Sequence, residues 1–241
     1  MPRSAHYQPL LLRILHSASG ILVIAAIITG FLVYNTYDRR FGKIPFPQIA
    51  DIQGIHGTFA LFFLLLLPAF ALYSFHAGQK RLLQSDSLRQ LTQVGRPIWW
   101  VSLQRLANTL MLIAAVLAVN SGRMMKEEWL PTLQLHHIWY SLHLCAWVVM
   151  VCCVAIHVLM STKVGGAPLL LSIFSWKFRP EDSPAKWSSR FRGWLSNSAN
   201  FGALKNNFMQ NNFSLRIIEV IVLCGIFTAF ILPVFFPGSE S

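Results

Sequence analysis

The sequence predicts an all-α integral membrane protein, in which four transmembrane helices form a bundle and a fifth helix follows near the C-terminus. Of its 241 residues, 54% are hydrophobic and only 12% are charged, whereas a soluble domain carries roughly 25% charged residues. The mean hydropathy is +0.50, and the charged residues lie mostly between long apolar segments. The net charge of +11 therefore requires no nucleic-acid partner, because membrane proteins concentrate Lys and Arg on their cytoplasmic side.

Five apolar segments are long enough to cross a bilayer, for which a helix needs about 20 mostly apolar residues. They cover residues 10–34, 52–75, 98–119, 138–160 and 215–236. The first segment is too long for a cleaved signal peptide and lacks a small-residue cleavage site followed by a soluble domain. The chain is therefore predicted to contain a four-helix core (1–163), a basic cytoplasmic loop (164–213), and a fifth helix with a short outer tail (214–241).

The distribution of Lys and Arg predicts the orientation of these helices. With the N-terminus in the cytoplasm, fifteen of the 20 basic residues lie on the cytoplasmic side and five lie outside, as expected for a bacterial-type inner membrane. Five crossings then leave the C-terminus outside. The long loop carries Trp176, Trp187, Phe191 and Trp194 among Lys and Arg, which is typical either of a segment lying on anionic membrane lipids or of a disordered basic loop.

Four of the eight histidines lie inside predicted spans at two matching depths. His143 and His157 are 14 residues apart, so they project from one helix face and lie about 21 Å apart along the axis. His16 lies in the first turns of the first span, near the cytoplasm and at the depth of His157. His56 lies in the first turns of the second span, near the outer side and at the depth of His143. The topology therefore pairs His16 with His157 and His56 with His143.

Each pair is suited to hold one haem iron between two imidazoles, because helical bundles commonly build cofactor sites from facing side chains. Zinc or copper is the alternative, but two histidines per site fall short of the four ligands that zinc usually takes. The sequence has neither C-x-x-C nor C-x-x-C-H, so both haems would be bound non-covalently. Gly20, Gly54 and Gly57 leave room for a porphyrin, or simply let the helices pack closely.

Two charged residues within the spans also need partners. Arg105, near the cytoplasmic end of the third span, is a candidate partner for haem propionates, with snorkelling to the headgroups as the alternative. Glu219 in the fifth span follows Arg216 by three residues, which predicts an ion pair between them. A proton-relay role for Glu219 is the alternative.

Three segments resemble the bacterial cytochrome b561 family, which includes the b-type cytochrome subunits of hydrogenase-like complexes. They are RILHSASG with His16, IHGTFA with His56, and SLHLCAWVVMVCCVAIHV with His143 and His157. The resemblance covers about residues 8–163. It implies a four-helix core that binds two b haems through the first, second and fourth helices, with these four histidines as the iron ligands.

The resemblance also implies a function, which is transmembrane electron transfer through two stacked b haems between a membrane quinone or quinol and a redox partner protein. No catalytic residue is assigned, and quinone-linked oxidoreductase turnover by the chain itself stays open. One alternative is a haem-bearing anchor whose loop and fifth helix recruit a redox enzyme. Another is a multispan transporter without haem. Repeat symmetry would support a transporter, but this sequence shows no internal repeat.

The remaining histidines have simpler interpretations. Solvation at the interface is the prediction for His6 and for His76, which faces about 160° away from His56 on the second span. His136 and His137 lie at the outer mouth of the fourth span. We interpret His136 as a residue that lines this mouth. The alternatives are a substitute iron ligand, a hydrogen-bond partner of a quinone and a solvated helix cap.

Overall fold

A computed structural model of the chain describes residues 7–196 and 199–235, and all regular secondary structure within these ranges is helical. Short 3₁₀ turns, such as Glu127–Trp129, connect some of the helices. In chain order the α-helices are α1 (Leu10–Tyr37), α2 (Ile52–His76), α3 (Ser87–Gln90), α4 (Pro97–Arg123), α5 (Ile138–Ser172), α6 (Trp187–Ser196), α7 (Ala199–Gln210) and α8 (Phe213–Phe235).

Five of these helices, α1, α2, α4, α5 and α8, are long and apolar enough to cross a membrane. This confirms the predicted fold class. A helix satisfies its own backbone hydrogen bonds, which is why apolar segments of this length are helical in lipid. Large apolar side chains remain exposed along them, such as Ile21 at 68% and Phe227 at 66%. Such surfaces are suited to contact lipid, and the chain is an integral membrane protein.

The fourth span differs most from its predicted bounds, because α5 continues to Ser172 instead of ending near residue 160. The helix is interrupted at Gly166, where φ is 68°, a conformation that glycine adopts at little cost. Pro168 follows two residues later and has no backbone N–H to donate. The apolar segment therefore continues as a second helical piece after a kink.

The predicted cytoplasmic loop is largely helical where the structure describes it, since it contains the end of α5 together with α6 and α7. Trp176 is 78% exposed and Phe174 is also exposed, so aromatic side chains are available there to contact a membrane surface. The side chains of Phe191 and Trp194 lie outside the described residues. The prediction that this loop binds anionic lipid remains a prediction.

The chain divides into two compact units, each assembled from separate stretches of sequence. The first unit comprises Met1–Ala18, Ala69–Thr109 and Ala155–Val220. Within it, Ser102 on α4 donates a hydrogen bond to Gln90 at the end of α3, with an O–O distance of 2.6 Å. This contact fixes the first part of α4 beside the end of α3.

The second unit comprises Ser19–Pro68, Leu110–Val154 and Ile221–Ser241. Its buried apolar cluster joins the end of α1, the start of α2, the turn after α4 and the start of α5, through Val33, Ile52, Leu130, Leu135 and Tyr140. Between membrane-spanning helices, such close packing stabilises the unit through van der Waals contacts. The cluster holds α2 and α5 in position next to α1.

Candidate cofactor sites

His16 and His157 face each other in the first unit. His16 is on α1 and His157 is on α5, and their ring centroids are 5.8 Å apart with an angle of 34° between the ring planes. Phe70 of α2 lies edge-on to His16, with centroids 6.5 Å apart. The structure therefore brings together the first of the two predicted pairs.

His56 and His143 face each other in the second unit. Their ring centroids are 6.0 Å apart, and the ring planes are nearly perpendicular, at 87°. His56 is on α2 and His143 is on α5, so the structure also brings together the second predicted pair. In both units one imidazole comes from α5. The other comes from α1 in the first unit and from α2 in the second.

The spacing of both pairs fits one metal ion between two imidazoles. With metal–nitrogen bonds of about 2 Å on each side, and each centroid about 1 Å beyond its nitrogen, the centroids are expected about 6 Å apart. The described residues include no group of three or more His, Cys, Asp or Glu side chains placed to bind a metal ion. A metal held by either pair would therefore need further ligands beyond these side chains, and a porphyrin would supply four nitrogen ligands.

The hydrogen bonds of His157 fix which nitrogen faces its partner ring. Its Nδ1 lies 2.7 Å from Oδ1 of Asn108, while the amide nitrogen of Asn108 donates to the carbonyl oxygen of Arg81. The amide oxygen of Asn108 is therefore an acceptor, and Nδ1 of His157 must donate to it. The lone pair of Nε2 is then free to bind a metal, as is usual for metal-binding histidines with a hydrogen-bonded second nitrogen.

His143 is held in the same tautomer by two acceptors. Its Nδ1 lies 3.1 Å from the carbonyl oxygen of Ala118 and 3.1 Å from the hydroxyl of Ser121. A carbonyl oxygen only accepts, and the Ser121 hydroxyl donates its own proton to the carbonyl of Leu117. Both contacts therefore require Nδ1 of His143 to carry the proton, so that Nε2 is unprotonated.

His56 follows the same rule through a threonine. Its Nδ1 lies 2.9 Å from the hydroxyl oxygen of Thr29, and that hydroxyl donates to the carbonyl oxygen of Ala25 at 2.7 Å. The hydroxyl oxygen is then the acceptor for Nδ1–H of His56. Three of the four histidines thus present an unprotonated Nε2, which is the form required of a metal ligand.

A family model for prokaryotic cytochrome b561 matches residues 7–176, which is more than two thirds of the chain. The chain belongs to the prokaryotic cytochrome b561 family. This confirms the resemblance stated from its sequence motifs. Comparisons with curated proteins and with solved structures find no match.

Membership in the cytochrome b561 family means transmembrane electron transfer through b-type haem, and the two histidine pairs fit such a cofactor. Each pair provides two imidazoles at a suitable spacing, and three of them are locked in the ligand tautomer.

The glycines closest to the histidine rings are not the three that the sequence predicted. A Cβ on Gly20 or Gly57 would meet nothing within 4 Å, whereas one on Gly54 would meet the side chain of Asp51. The closest approaches to the histidines involve two glycines that the sequence analysis missed. A Cβ on Gly30 would lie 3.2 Å from Cε1 of His56, and one on Gly122 would lie 3.3 Å from Cε1 of His143.

Arg105 of this cytochrome lies on α4, where its Nε donates to the carbonyl oxygen of Lys80 at 3.1 Å. The role of Arg105 as a partner of a haem propionate stays a prediction. Just before α5, His137 stacks on Trp129 with ring centroids 3.7 Å apart, and His136 is exposed. Neither of these two histidines contacts the ring of His143. His6 lies outside the described residues.

The predictions for His76 and Glu219 were wrong. His76 is largely buried rather than solvated, and its Nε2 lies 3.1 Å from Oε1 of Glu219. Glu219, which is 2% exposed, also accepts a hydrogen bond from Asn211. Arg216 instead lies over the ring of Phe213. The Glu219 side chain therefore contacts His76 of α2 and forms no ion pair with Arg216, its neighbour in sequence.

Proposed function

We propose that this cytochrome carries electrons across the membrane through two non-covalent b haems that are stacked between the two leaflets. His16 and His157 hold one haem, and His56 and His143 hold the other. The proposal links a membrane quinone or quinol to a redox partner protein. The observation that carries it is the facing of two imidazole pairs at 5.8 and 6.0 Å in a family that transfers electrons through haem.

The residues of the chain hold and orient the cofactors. When bound, each haem supplies a one-electron cycle between ferric and ferrous iron. The Nδ1–H bonds to Asn108, Ala118 and Thr29 keep Nε2 of His157, His143 and His56 unprotonated and raise the basicity of these imidazoles. A more basic imidazole ligand would favour the ferric state of a bound haem, so these hydrogen bonds would act on its redox potential. The apolar spans keep bulk water away from the pairs.

Orientation is part of this proposal and depends on the distribution of basic residues. Fifteen Lys and Arg against five support a cytoplasmic N-terminus and an outer C-terminus. The His16 pair then lies toward the cytoplasm and the His56 pair toward the outside. Residues 1–6 and 236–241, which include both termini, lie outside the described residues. Arg105 is proposed to bind a haem propionate.

The direct test is reduction of the purified chain by a quinol. We would incorporate the chain into nanodiscs, add a short-chain ubiquinol analogue, and follow the haem absorbance. The expected result is reduction of bound haem without any partner protein, which would show that the chain itself oxidises quinol. The His157→Ala and His143→Ala variants should each lose one haem component. Haem that dithionite reduces but the quinol does not would contradict the quinone link.

A haem-bearing anchor subunit is the second candidate function. The family match ends at residue 176, whereas α6, α7 and α8 follow it. α8 is nevertheless built into the fold, because Asn120 of α4 donates a hydrogen bond to the carbonyl oxygen of Gly225 at 2.9 Å. An anchor would receive its electrons from a bound enzyme, so failure of the quinol test with haem present would favour this candidate.

A further inference from the structure

Arg13 is a buried cation without an anionic partner among the described residues. It is 3% exposed, and its Nη1 donates to the carbonyl oxygen of Ser175. Its Nε and Nη2 atoms are also buried, and neither has a hydrogen-bond partner. Tyr7 lies beside the guanidinium, with its ring centroid 5.6 Å from Cζ. The Tyr7 hydroxyl donates to Asp182, so this neighbouring carboxylate interacts with Tyr7 and forms no ion pair with Arg13.

The two atoms without partners are the pair that binds carboxylates. Nε–H and one Nη2–H point from the same edge of a guanidinium and can donate two parallel hydrogen bonds to the two oxygens of one carboxylate. Arg40 uses this edge in the same chain, since its Nε lies 2.6 Å from Oδ1 and its Nη2 lies 2.9 Å from Oδ2 of Asp38. The equivalent edge of Arg13 has no carboxylate of the protein against it.

A buried charge without a partner is strongly unfavourable, so an anion is expected at this edge. The position of Arg13 indicates which anion. It precedes His16 by three residues on α1, so the two side chains lie on one face about one turn apart. Arg13 therefore places a buried positive charge about one helical turn from His16, which suits a cofactor with carboxylates.

We propose that Arg13 binds a cofactor carboxylate, so that its Nε and Nη2 atoms donate hydrogen bonds to one propionate of the haem held by His16 and His157. This inference depends on the proposed function, because it requires a haem at that pair. It adds a second basic contact to the one predicted for Arg105. A phospholipid phosphate has the same chemistry as a ligand and is the competing source of the anion.

Arg13→Gln tests the proposal, with Arg89→Gln as the matched control because Arg89 is exposed in the same unit. Removing a cation beside a haem favours the ferric form. We expect Arg13→Gln to change the ferric–ferrous equilibrium of one haem at least tenfold, which is about 59 mV for one electron. The haem affected should be the one that His157→Ala removes. Arg13→Lys, which keeps the charge but loses the two parallel donors, should change the equilibrium less.

Two further measurements separate the outcomes. Resonance Raman bands of the propionates should shift in Arg13→Gln, because one propionate loses its hydrogen bonds. A merely structural role of Arg13 would leave these bands unchanged. The potential shift should persist in phospholipid-free detergent, whereas a shift seen only in phospholipid nanodiscs would assign the anion to lipid and overturn the proposal. Bound haem with unchanged potential and Raman bands would overturn this inference alone. A chain that binds no haem would overturn it together with the proposed function.

Discussion

Single hydrogen bonds decide how firmly each imidazole is held toward its cofactor. His157 has one acceptor for its Nδ1–H, the amide oxygen of Asn108, whereas His143 has both Ser121 and the backbone of Ala118. We expect Asn108→Leu to weaken haem retention by about 10–100-fold, the usual effect of losing such a partner. Ser121→Ala should have a much smaller effect, because the carbonyl oxygen of Ala118 remains.

Haem transfer to apomyoglobin measures this difference. The rate of transfer should rise for one haem in Asn108→Leu and stay close to the wild-type rate in Ser121→Ala. Equal rates in the two variants would show that Nδ1 of His157 does not depend on Asn108, and the tautomer assigned to that ring would lose its support.

A buried carboxylate just after the C-terminal end of α1, Asp38, gives a prediction for the effect of acid. Burial alone raises the pKa of Asp38, but hydrogen bonds from Arg40 and Tyr140 outweigh it and lower the pKa below its ordinary value of 3.8. The stabilisation is therefore complete above pH 3.8 and is lost as the pH falls through the lowered pKa. The difference in unfolding temperature between wild type and Asp38→Asn should be constant from pH 7 to 5 and shrink below pH 4.

Tyr140→Phe provides the control for this acid effect. Its hydroxyl donates to Asp38 at 2.6 Å, and a hydrogen bond to a charged group contributes about 1.5–3 kcal/mol. The variant should be less stable at neutral pH, and its acid transition should move to higher pH. A difference between wild type and Asp38→Asn that is independent of pH would contradict the ion pair.

At the scale of helices, α8 contacts α2 through a buried pair, Glu219 on α8 and His76 on α2. Breaking such a pair from one side leaves an uncompensated polar group and costs about 3–5 kcal/mol, whereas replacing both members with apolar residues is often neutral. We therefore expect Glu219→Ala to lower the unfolding temperature in detergent markedly. The double variant His76→Leu, Glu219→Leu should recover most of that loss. A double variant as unstable as Glu219→Ala would mean that the carboxylate has another stabilising partner.

The helices and the histidine pairing could be predicted from sequence because they depend on quantities that a sequence carries. Span length and hydropathy determine which segments are helical in lipid, and counting residues from each end gives the depth of a histidine. The rotation of each helix about its axis depends on packing against all its neighbours. For this reason the partners Asn108 and Glu219 were missed, as was the glycine contact at His56. The Gly166 kink was missed because the apolar run continues through it.

One signal for the missed contacts was present in the sequence. Asn108 and Thr109 are polar residues in the middle of an apolar span, and buried polar side chains need hydrogen-bond partners. The same reasoning applied to Arg13 would have placed a charged group one turn from His16. No pattern in the sequence, however, could have separated a guanidinium that snorkels to the headgroups from one that is buried.

At the scale of the whole molecule, the two pairs differ in the angle between their rings, which is 34° for His16 with His157 and 87° for His56 with His143. In a ferric haem held by either pair, the angle between the two imidazole planes would affect how far the d orbitals of the iron are split. Near-perpendicular planes would leave two of these orbitals almost equal in energy and give a highly anisotropic low-spin signal, whereas more parallel planes would give a rhombic signal.

Electron paramagnetic resonance of the oxidised chain should therefore show both kinds of signal. His157→Ala should remove the rhombic signal, and His143→Ala should remove the anisotropic one. Two identical signals, or loss of the same signal in both variants, would mean that the ring angles of the two sites do not differ as described.

Haem stoichiometry in the wild type and four single variants tests the central claim most directly. The haem-to-protein ratio would be measured as the pyridine haemochrome, together with reduced-minus-oxidised spectra of the His16→Ala, His56→Ala, His143→Ala and His157→Ala variants. The account predicts two b haems per chain, with His16 and His157 variants losing one spectral component and His56 and His143 variants losing the other. A chain with no haem, with one haem, or with variants that lose components in other combinations would contradict it.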